Sequence, residues 1–128
     1  MPAAPGLPPA VLVVDDHPGI LTVLHRLLLE FVPTYEILPF SDGESALVHA
    51  AQRVVPLVFT DYHMPFMTGL ELTAALKAAT PGIRVAMITA YDTAELRKRA
   101  RASGVDYFLP KPFPFDELEE IVRSVLTS

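Results

Sequence analysis

The chain has 128 residues and a mass of 14.0 kDa, which corresponds to a single domain. Apolar residues make up 51% of it, and the absence of cysteine excludes a disulfide scaffold, a thiolate metal site and a cysteine nucleophile. A formal charge of −5 at pH 7 argues against a surface built to bind nucleic acid.

The first nine residues contain four of the 13 prolines, which predicts a flexible, proline-rich leader over residues 1–9. The one predicted domain covers residues 10–128. No apolar run approaches the roughly 18 residues that a membrane span requires, and the start of the chain lacks the basic residues of a signal peptide. We therefore expect a cytoplasmic protein that does not bind a membrane.

Four short apolar runs predict strands that are buried on both faces, as in a parallel sheet. They cover residues 11–14, 57–60, 85–88 and 107–109. A fifth candidate, residues 35–40, contains Glu36 and Pro39. We place it at an edge of the sheet, because proline cannot donate a ladder hydrogen bond.

Helical patterns separate these strands. They cover residues 18–31, 44–52, 70–79, 93–102 and 115–126. Gly82 and Gly104 follow two of these helices, in positions typical of left-handed helix caps. Strand and helix alternate five times, which predicts an α/β doubly wound domain with a five-stranded parallel sheet.

Polar side chains stand where the predicted strands end. Asp15 and Asp16 follow the first strand, and Asp61 follows the third. Thr89 follows the fourth strand, and Lys111 lies two residues past the fifth. In doubly wound sheets, ligands bind at this edge.

The chemistry of these residues indicates a metal and a phosphoryl group. Three carboxylates packed together repel one another, so the site needs a cation or one carboxylate must hold a proton. Oxygen ligands without imidazole or thiolate suit Mg²⁺. A lysine and a threonine beside such a centre suit a phosphoryl group, and one carboxylate could carry that group as an acyl phosphate.

Four segments of the chain resemble the response-regulator receiver domain of two-component signalling, of the chemotaxis-regulator type. They are VLVVDDHP (11–18), LVFTDYHMPFMTGLEL (57–72), VAMITAY (85–91) and GVDYFLPKPF (104–113). The combination of D-D, D-x-x-M-P-x-x-x-G, T-A and K-P-F is specific to that family, and the resemblance covers about residues 10–128. It implies a flavodoxin-like fold with the strand order 2-1-3-4-5.

The resemblance also implies roles for individual residues. Asp61 accepts the phosphoryl group and binds Mg²⁺ together with Asp16 and the backbone carbonyl of His63. Asp15 assists the metal, either directly or through water. Lys111 contacts the phosphoryl oxygens and pairs with the carboxylates.

Two further roles concern the response to phosphorylation. Thr89 bonds the phosphoryl group in the active state, and Phe108 occupies the position of the rotameric switch. The Lys111–Pro112 peptide bond is typically cis in this family. The implied phosphodonor is a histidine kinase or a histidine phosphotransfer protein, while the output partner is not indicated. The resemblance also allows a dimer through the face formed by the fourth helix, the fifth strand and the fifth helix.

Several residues have a simpler interpretation beside the functional one. Asp15 or Asp16 could cap the helix that begins near Pro18. Phe108 could serve core packing alone. The side chain of His63 is interpreted as a modulator of the site, with metal ligation and phosphoryl carriage as alternatives, and nothing singles out the other three histidines.

The fourth predicted helix carries a basic run. Its members are Arg97, Lys98, Arg99 and Arg101. A solvated helix face is the default interpretation, and partner docking is the functional one. Direct DNA contact is disfavoured because the run has no interleaved aromatic residues and the net charge is acidic.

The predicted function is a phosphorylatable switch that catalyses only its own phosphorylation and dephosphorylation. A receiver that acts mainly as a docking or dimerisation module is the first alternative. A phosphatase of the haloacid-dehalogenase type is the second, but that class has an aspartate two positions after its nucleophile. His63 stands at that position here.

The lifetime of the phosphorylated state is expected to depend on His63 and Tyr91. These are the second residues after the acceptor aspartate and after Thr89, and in receivers both positions flank the approach of water. Two large side chains there could narrow that approach, or a neutral imidazole could orient the water as a base. We favour shielding, because the tyrosine leaves little room.

Overall fold

The computed structural model describes residues 6–126, in which five strands and five helices alternate. The strands are β1 (Ala10–Val14), β2 (Glu36–Phe40), β3 (Leu57–Thr60), β4 (Arg84–Thr89) and β5 (Tyr107–Pro110). The helices are α1 (Pro18–Phe31), α2 (Gly43–Ala50), α3 (Gly69–Ala79), α4 (Ala94–Ser103) and α5 (Phe115–Leu126). All strand pairs are parallel, and their order is β2-β1-β3-β4-β5, as the sequence and the resemblance predict.

The strands are apolar throughout because helices cover both faces of the sheet. In β1, Val11 and Val13 pack in a cluster with Leu24 of α1 and Leu118 of α5. The alternate residues of that strand face the other way and pack against α2 and α3. A slip of one residue would exchange these faces, so burial on both sides fixes the strand register. The register in turn decides which residues emerge together at the carboxyl edge.

Polar caps set the start of three helices. Asp42 caps α2, because its side chain accepts a hydrogen bond from Ser45 N at 2.8 Å. Thr68 forms a capping box with Glu71 at the start of α3. Thr93 caps α4, which therefore begins one residue later than predicted.

The two candidate glycine caps differ. Gly104 has a φ of 102° and ends α4 in the left-handed conformation, as predicted. For Gly82 the prediction was wrong, because α3 ends at the cap residue Thr80 with a φ of −140°. Pro81 follows directly, and a residue before proline avoids the helical conformation. The helix has therefore already ended when the chain reaches Gly82.

The described part of the predicted leader makes hydrogen bonds with the domain. Residues 1–5 of the predicted leader lie outside the described residues, as do residues 127–128. Further along the leader, the carbonyl oxygens of Pro8 and Pro9 accept hydrogen bonds from Arg53 Nη2 and Glu36 N, at 2.7 and 3.0 Å. Within residues 6–126, no helix has the length and apolar character needed to cross a membrane.

Candidate functional site

The carboxyl ends of β1 and β3 bring two aspartates side by side. Val14 pairs with Thr60 in the parallel register, and Asp61 N donates a hydrogen bond to Val14 O at 3.0 Å. The next residue of each chain segment, Asp15 or Asp61, therefore emerges at the same edge. Both carboxylates are almost fully buried, at 2% and 5% residue exposure.

Lys111 joins these two aspartates. Its ammonium donates to Asp15 Oδ2 at 2.8 Å and to Asp61 Oδ2 at 3.0 Å. Burial alone lowers the pKa of Lys111, but the hydrogen bonds with Asp15 and Asp61 outweigh that penalty and hold the pKa above its ordinary value. The lysine therefore stays charged at neutral pH.

A backbone hydrogen bond connects Lys111 to the neighbouring strand β4. Lys111 N donates to Thr89 O at 2.9 Å, which ties the end of β5 to the end of β4. The Lys111–Pro112 peptide bond is cis, as the resemblance implies. The hydrogen bond to Thr89 O fixes the point from which the Lys111 side chain reaches across the sheet to β1 and β3.

Asp16 has an oxygen without a hydrogen-bond partner. Its Oδ1 is buried and accepts no hydrogen bond from the described residues, although His17 Nδ1 lies 3.1 Å away. Ligand atoms of Asp15, Asp16, His17 and Asp61 all lie within 4.8 Å of one another. A buried carboxylate oxygen left unpaired beside two further carboxylates is the donor set that a hard divalent cation prefers. The residues present therefore fit the magnesium ion that the sequence predicts.

His17 is the site residue that sequence reasoning missed. It is the N-cap residue of α1 but makes no side-chain cap, so the interpretation of Asp15 or Asp16 as the cap of this helix is wrong. Asp15 Oδ1 instead accepts from His17 N at 2.9 Å, and the His17 ring lies 3.1 Å from the same oxygen. Its position directly after the two aspartates was the available signal.

Three aromatic rings lie beside the acidic cluster. The His63 ring centroid is 5.8 Å from that of Tyr91 and 6.4 Å from that of Tyr62. His63 and Tyr91 line, with Asp16, Asp61 and Lys111, a cavity of about 500 Å³. The two residues expected to control access of water are therefore neighbours at the mouth of the acidic cavity. Tyr62, which joins them, was not singled out from the sequence.

Thr89 and Phe108 lie on neighbouring strands. The buried Thr89 hydroxyl accepts a hydrogen bond from Tyr91 N at 3.1 Å and makes no other hydrogen bond within residues 6–126. Phe108 pairs with Met87 in the β4–β5 register and is half-buried. The Arg97 guanidinium lies over its ring, 4.5 Å from the centroid.

The fold explains why the D-x-x-M-P-x-x-x-G pattern ends in a glycine, Gly69. Gly69 N donates to Tyr62 O at 2.8 Å, which brings the start of α3 against the end of β3. A Cβ added at Gly69 would collide with the backbone carbonyl oxygen of Asp61 and would lie 2.8 Å from Met87 Cε. Glycine is therefore required by close approach to the aspartate, independently of any unusual φ.

Comparison with known proteins agrees with this geometry. A family model described as the response regulator receiver domain matches residues 11–123. The chain is 33% identical over 126 residues to the probable transcriptional regulatory protein TcrX of Mycobacterium tuberculosis, covering 98% of this chain and 53% of that protein. It is 34% identical over 116 residues to the transcriptional regulatory protein ZraR of Escherichia coli O157:H7, covering 91% of this chain and 26% of that protein. The chain thus spans about half and about a quarter of these relatives.

Solved structures show the same likeness. The signal receiver domain of an HD domain-containing protein from Pseudomonas fluorescens Pf-5 superposes with a TM-score of 0.85 at 30% identity, covering 93% of this chain and 94% of that one. The chemotaxis protein CheY4 of Vibrio cholerae has a TM-score of 0.82 at 28% identity, covering 91% of this chain and 98% of that one. The fold, the edge of the sheet where the acidic residues meet and these matches lead to one conclusion: the chain belongs to the receiver domains of two-component response regulators.

Proposed function

We propose that this receiver is a signalling switch that accepts a phosphoryl group on Asp61 from a histidine kinase or a histidine phosphotransfer protein. The observation that carries the proposal is the Lys111 ammonium, which pairs with both Asp15 and Asp61 in the cavity that Asp16 also lines. Three carboxylates and one ammonium leave a formal charge of −2 when all are ionised. That imbalance favours a divalent cation and, with it, a phosphoryl group.

The metal ligands in this proposal are Asp16, Asp61 and the backbone carbonyl of His63, with Asp15 assisting directly or through water. A bound Mg²⁺ neutralises charge that develops on the phosphoryl oxygens during transfer. A carboxylate oxygen of Asp61 forms the new bond to phosphorus while the phosphorus–nitrogen bond of the donor phosphohistidine breaks. The leaving imidazole takes up a proton, and the product is an acyl phosphate on Asp61.

Lys111 can bind the phosphoryl group once it is on Asp61. Its ammonium is already within hydrogen-bond distance of Asp61 Oδ2, at 3.0 Å. When that carboxylate becomes part of an acyl phosphate, the same ammonium can donate to the phosphoryl oxygens without a change of backbone. In this proposal the domain promotes only its own phosphorylation and dephosphorylation.

The switch follows from the added charge. The acceptor side chain goes from about −1 to about −2 on phosphorylation. Within residues 6–126 the Thr89 hydroxyl accepts a hydrogen bond from Tyr91 N and makes no other, so it has a hydrogen to donate to the new group. Phe108 follows Thr89, and the face made by α4, β5 and α5 is remodelled for an output partner. A shift in population from 1:99 to 99:1 requires about 5.5 kcal/mol, within reach of a few charge-assisted hydrogen bonds of about 1.5–3 kcal/mol each.

The charges on that face suit association with a second copy or an effector. The exposed residues Lys98, Arg99 and Arg101 make α4 basic. Helix α5 begins with Asp116 and Glu117, which make its first turn acidic. A two-fold dimer through α4, β5 and α5 can place the basic helix of one copy beside the acidic helix of the other. We place this exchange in the cytoplasm, without nucleic acid or membrane binding by residues 10–128 themselves.

The test is phosphorylation by acetyl phosphate in the presence of Mg²⁺, followed by intact mass. Wild-type protein should gain one phosphoryl group that hydroxylamine removes, and Asp61→Asn should gain none. Asp106→Asn is the matched control, because it makes the same change at the opposite end of the sheet and should be phosphorylated normally. An undiminished adduct on Asp61→Asn would refute the acceptor role, and an adduct mapped to His63 would move that role to the histidine.

A further inference from the structure

Arg97 differs from the other basic residues of α4. The exposed side chains of Lys98, Arg99 and Arg101 make no ion pair with residues 6–126, as expected for a solvated face. Arg97 is half-buried and contacts two other elements of the fold. Of the basic run, Arg97 alone contacts both the loop before α4 and strand β5 within residues 6–126.

The first partner of Arg97 is Asp92, in the loop between β4 and α4. Arg97 Nε donates to Asp92 Oδ1 at 2.6 Å, and Nη2 donates to Oδ2 at 3.1 Å. Two parallel hydrogen bonds between a planar guanidinium and a carboxylate fix the plane of the guanidinium. The hydrogen bond from Arg97 lowers the pKa of Asp92, so the pair remains charged at neutral pH.

The second partner is the ring of Phe108 on β5. The guanidinium carbon lies 4.5 Å from the ring centroid, within the range of a cation–π contact. Because Asp92 holds the edge of the guanidinium, its face is already oriented for the ring. Phe108 is thus covered by a group that is anchored to the loop after Thr89.

We propose that Arg97 is a positioning residue that holds Phe108 in its resting place and so opposes the switch. This inference rests on the proposed function, in which Phe108 moves after Thr89 when Asp61 is phosphorylated. In this proposal, the ring leaves the face of the guanidinium when it follows Thr89. The contact with Arg97 therefore stabilises the resting conformation and is lost in the active one.

A contact made in only one of two states biases the population toward that state. Removing Arg97 should raise the fraction of protein in the active conformation and strengthen the apparent binding of a phosphoryl analogue. A cation–π contact between half-buried side chains corresponds to about a two- to five-fold change in the equilibrium between the resting and active conformations. The expected change is therefore measurable but modest.

The experiment is a titration of beryllofluoride with Mg²⁺, followed by the backbone amide resonances of Thr89 and Tyr91. Arg97→Ala should reach half-saturation at an analogue concentration about two- to five-fold lower than wild type. Arg97→Lys keeps the charge but loses the planar fork, so its value should lie between the two. Arg26→Ala removes one exposed arginine from α1, outside the face made by α4, β5 and α5, and should match wild type.

A second arm separates positioning from a general effect of charge. In a Phe108→Leu background the aromatic face is gone, so adding Arg97→Ala should change the half-saturation point little. An effect of Arg97→Ala that persists in this background, or an Arg97→Ala variant that matches wild type, would overturn the inference. A wild-type protein that does not respond to beryllofluoride would instead overturn the proposed function, and the role of Arg97 with it.

Discussion

Two lysine–carboxylate clusters lie at opposite ends of the sheet, and they differ in how their charges are satisfied. At the amino end, Asp106 Oδ2 accepts from Lys77 Nζ at 2.7 Å and from Val85 N at 2.9 Å, and Arg84 lies beside its other oxygen. Lys77 Nζ also donates to Ile83 O at 2.6 Å. At the carboxyl end, one ammonium pairs with two of the three carboxylates, and Asp16 Oδ1 accepts no hydrogen bond from residues 6–126.

The comparison shows why similar residue types have different meanings. The Asp106 carboxylate has hydrogen-bond donors at both oxygens. Such a carboxylate connects neighbouring strands and needs no ligand. A cluster with surplus negative charge and an unpaired buried oxygen is favourable only with a ligand. Charge balance, more than residue type, therefore makes the carboxyl end the candidate functional site.

The largest effect is expected at Gly69, which sets the backbone of the carboxyl-end cluster. Gly69→Ala places a methyl group against the Asp61 carbonyl, so either α3 or the end of β3 must move. We expect a loss of about 3 kcal/mol in the free energy of unfolding, together with reduced phosphorylation by acetyl phosphate. Urea unfolding and intact mass measure the two quantities, and Gly19→Ala, where a Cβ meets nothing within 4 Å, is the control. Equal stability of the two variants would contradict this account of the glycine.

Asp106→Ala tests the structural cluster at the amino end. The change leaves the amide of Val85 without its acceptor and leaves the ammonium of Lys77 with Ile83 O alone, so we expect a loss of about 2 kcal/mol in the free energy of unfolding. Phosphorylation of Asp61 should be retained, because the two clusters lie at opposite ends of the sheet. Chemical denaturation and intact mass check both parts. A stable variant that loses phosphorylation would reverse the comparison.

Asp16→Ala is the matching change at the carboxyl end. Removing one of three crowded carboxylates should weaken Mg²⁺ binding at least tenfold, as for the loss of one ligand of a hard cation. In buffer free of divalent ions it should raise the free energy of unfolding by about 1 kcal/mol, since a like-charge repulsion is relieved. Calorimetric titration with Mg²⁺ and unfolding in chelator measure these effects, with Asp106→Ala as the variant of equal charge. Unchanged Mg²⁺ affinity would remove Asp16 from the metal site.

The smallest effect is expected from the aromatic side chains beside the cavity. His63→Ala and Tyr91→Ala should each shorten the phosphorylated lifetime about threefold, equivalent to less than 1 kcal/mol of barrier, because each opens a path for water. The decay of the phosphorylated mass after removal of acetyl phosphate gives this rate. Val48→Ala, an exposed residue on α2, is the control. A longer lifetime in His63→Ala would replace shielding by a histidine that activates the water.

Much of the fold was predictable because the strands are short, apolar and buried on both faces. Each predicted strand lies within one residue of its observed bounds at either end, and α1 and α5 match their predicted ranges. Asp15, Asp61 and Lys111 could be placed at one edge because they directly follow parallel strands or lie close behind them. Parallel strands leave their carboxyl ends at the same edge of a sheet.

What could not be predicted depends on side-chain packing between distant elements. The basic run of α4 reads as uniform in sequence, and only the fold brings Arg97 to both Asp92 and Phe108. His17 follows two aspartates, but its contact with their oxygens depends on how α1 leaves β1. The left-handed cap expected at Gly82 does not form, because the helix ends at Thr80, directly before Pro81.

The bond between Lys111 and Asp15 joins residues 96 positions apart, so it closes nearly the whole described chain. A nascent or truncated chain that ends before β5 has the proposed acceptor, Asp61, but not the ammonium of Lys111 that pairs with it. Contacts of such long sequence separation form only when the chain ends have come together. Under the proposed function, a partly synthesised or clipped receiver that lacks Lys111 would therefore have an incomplete phosphorylation site and would not switch.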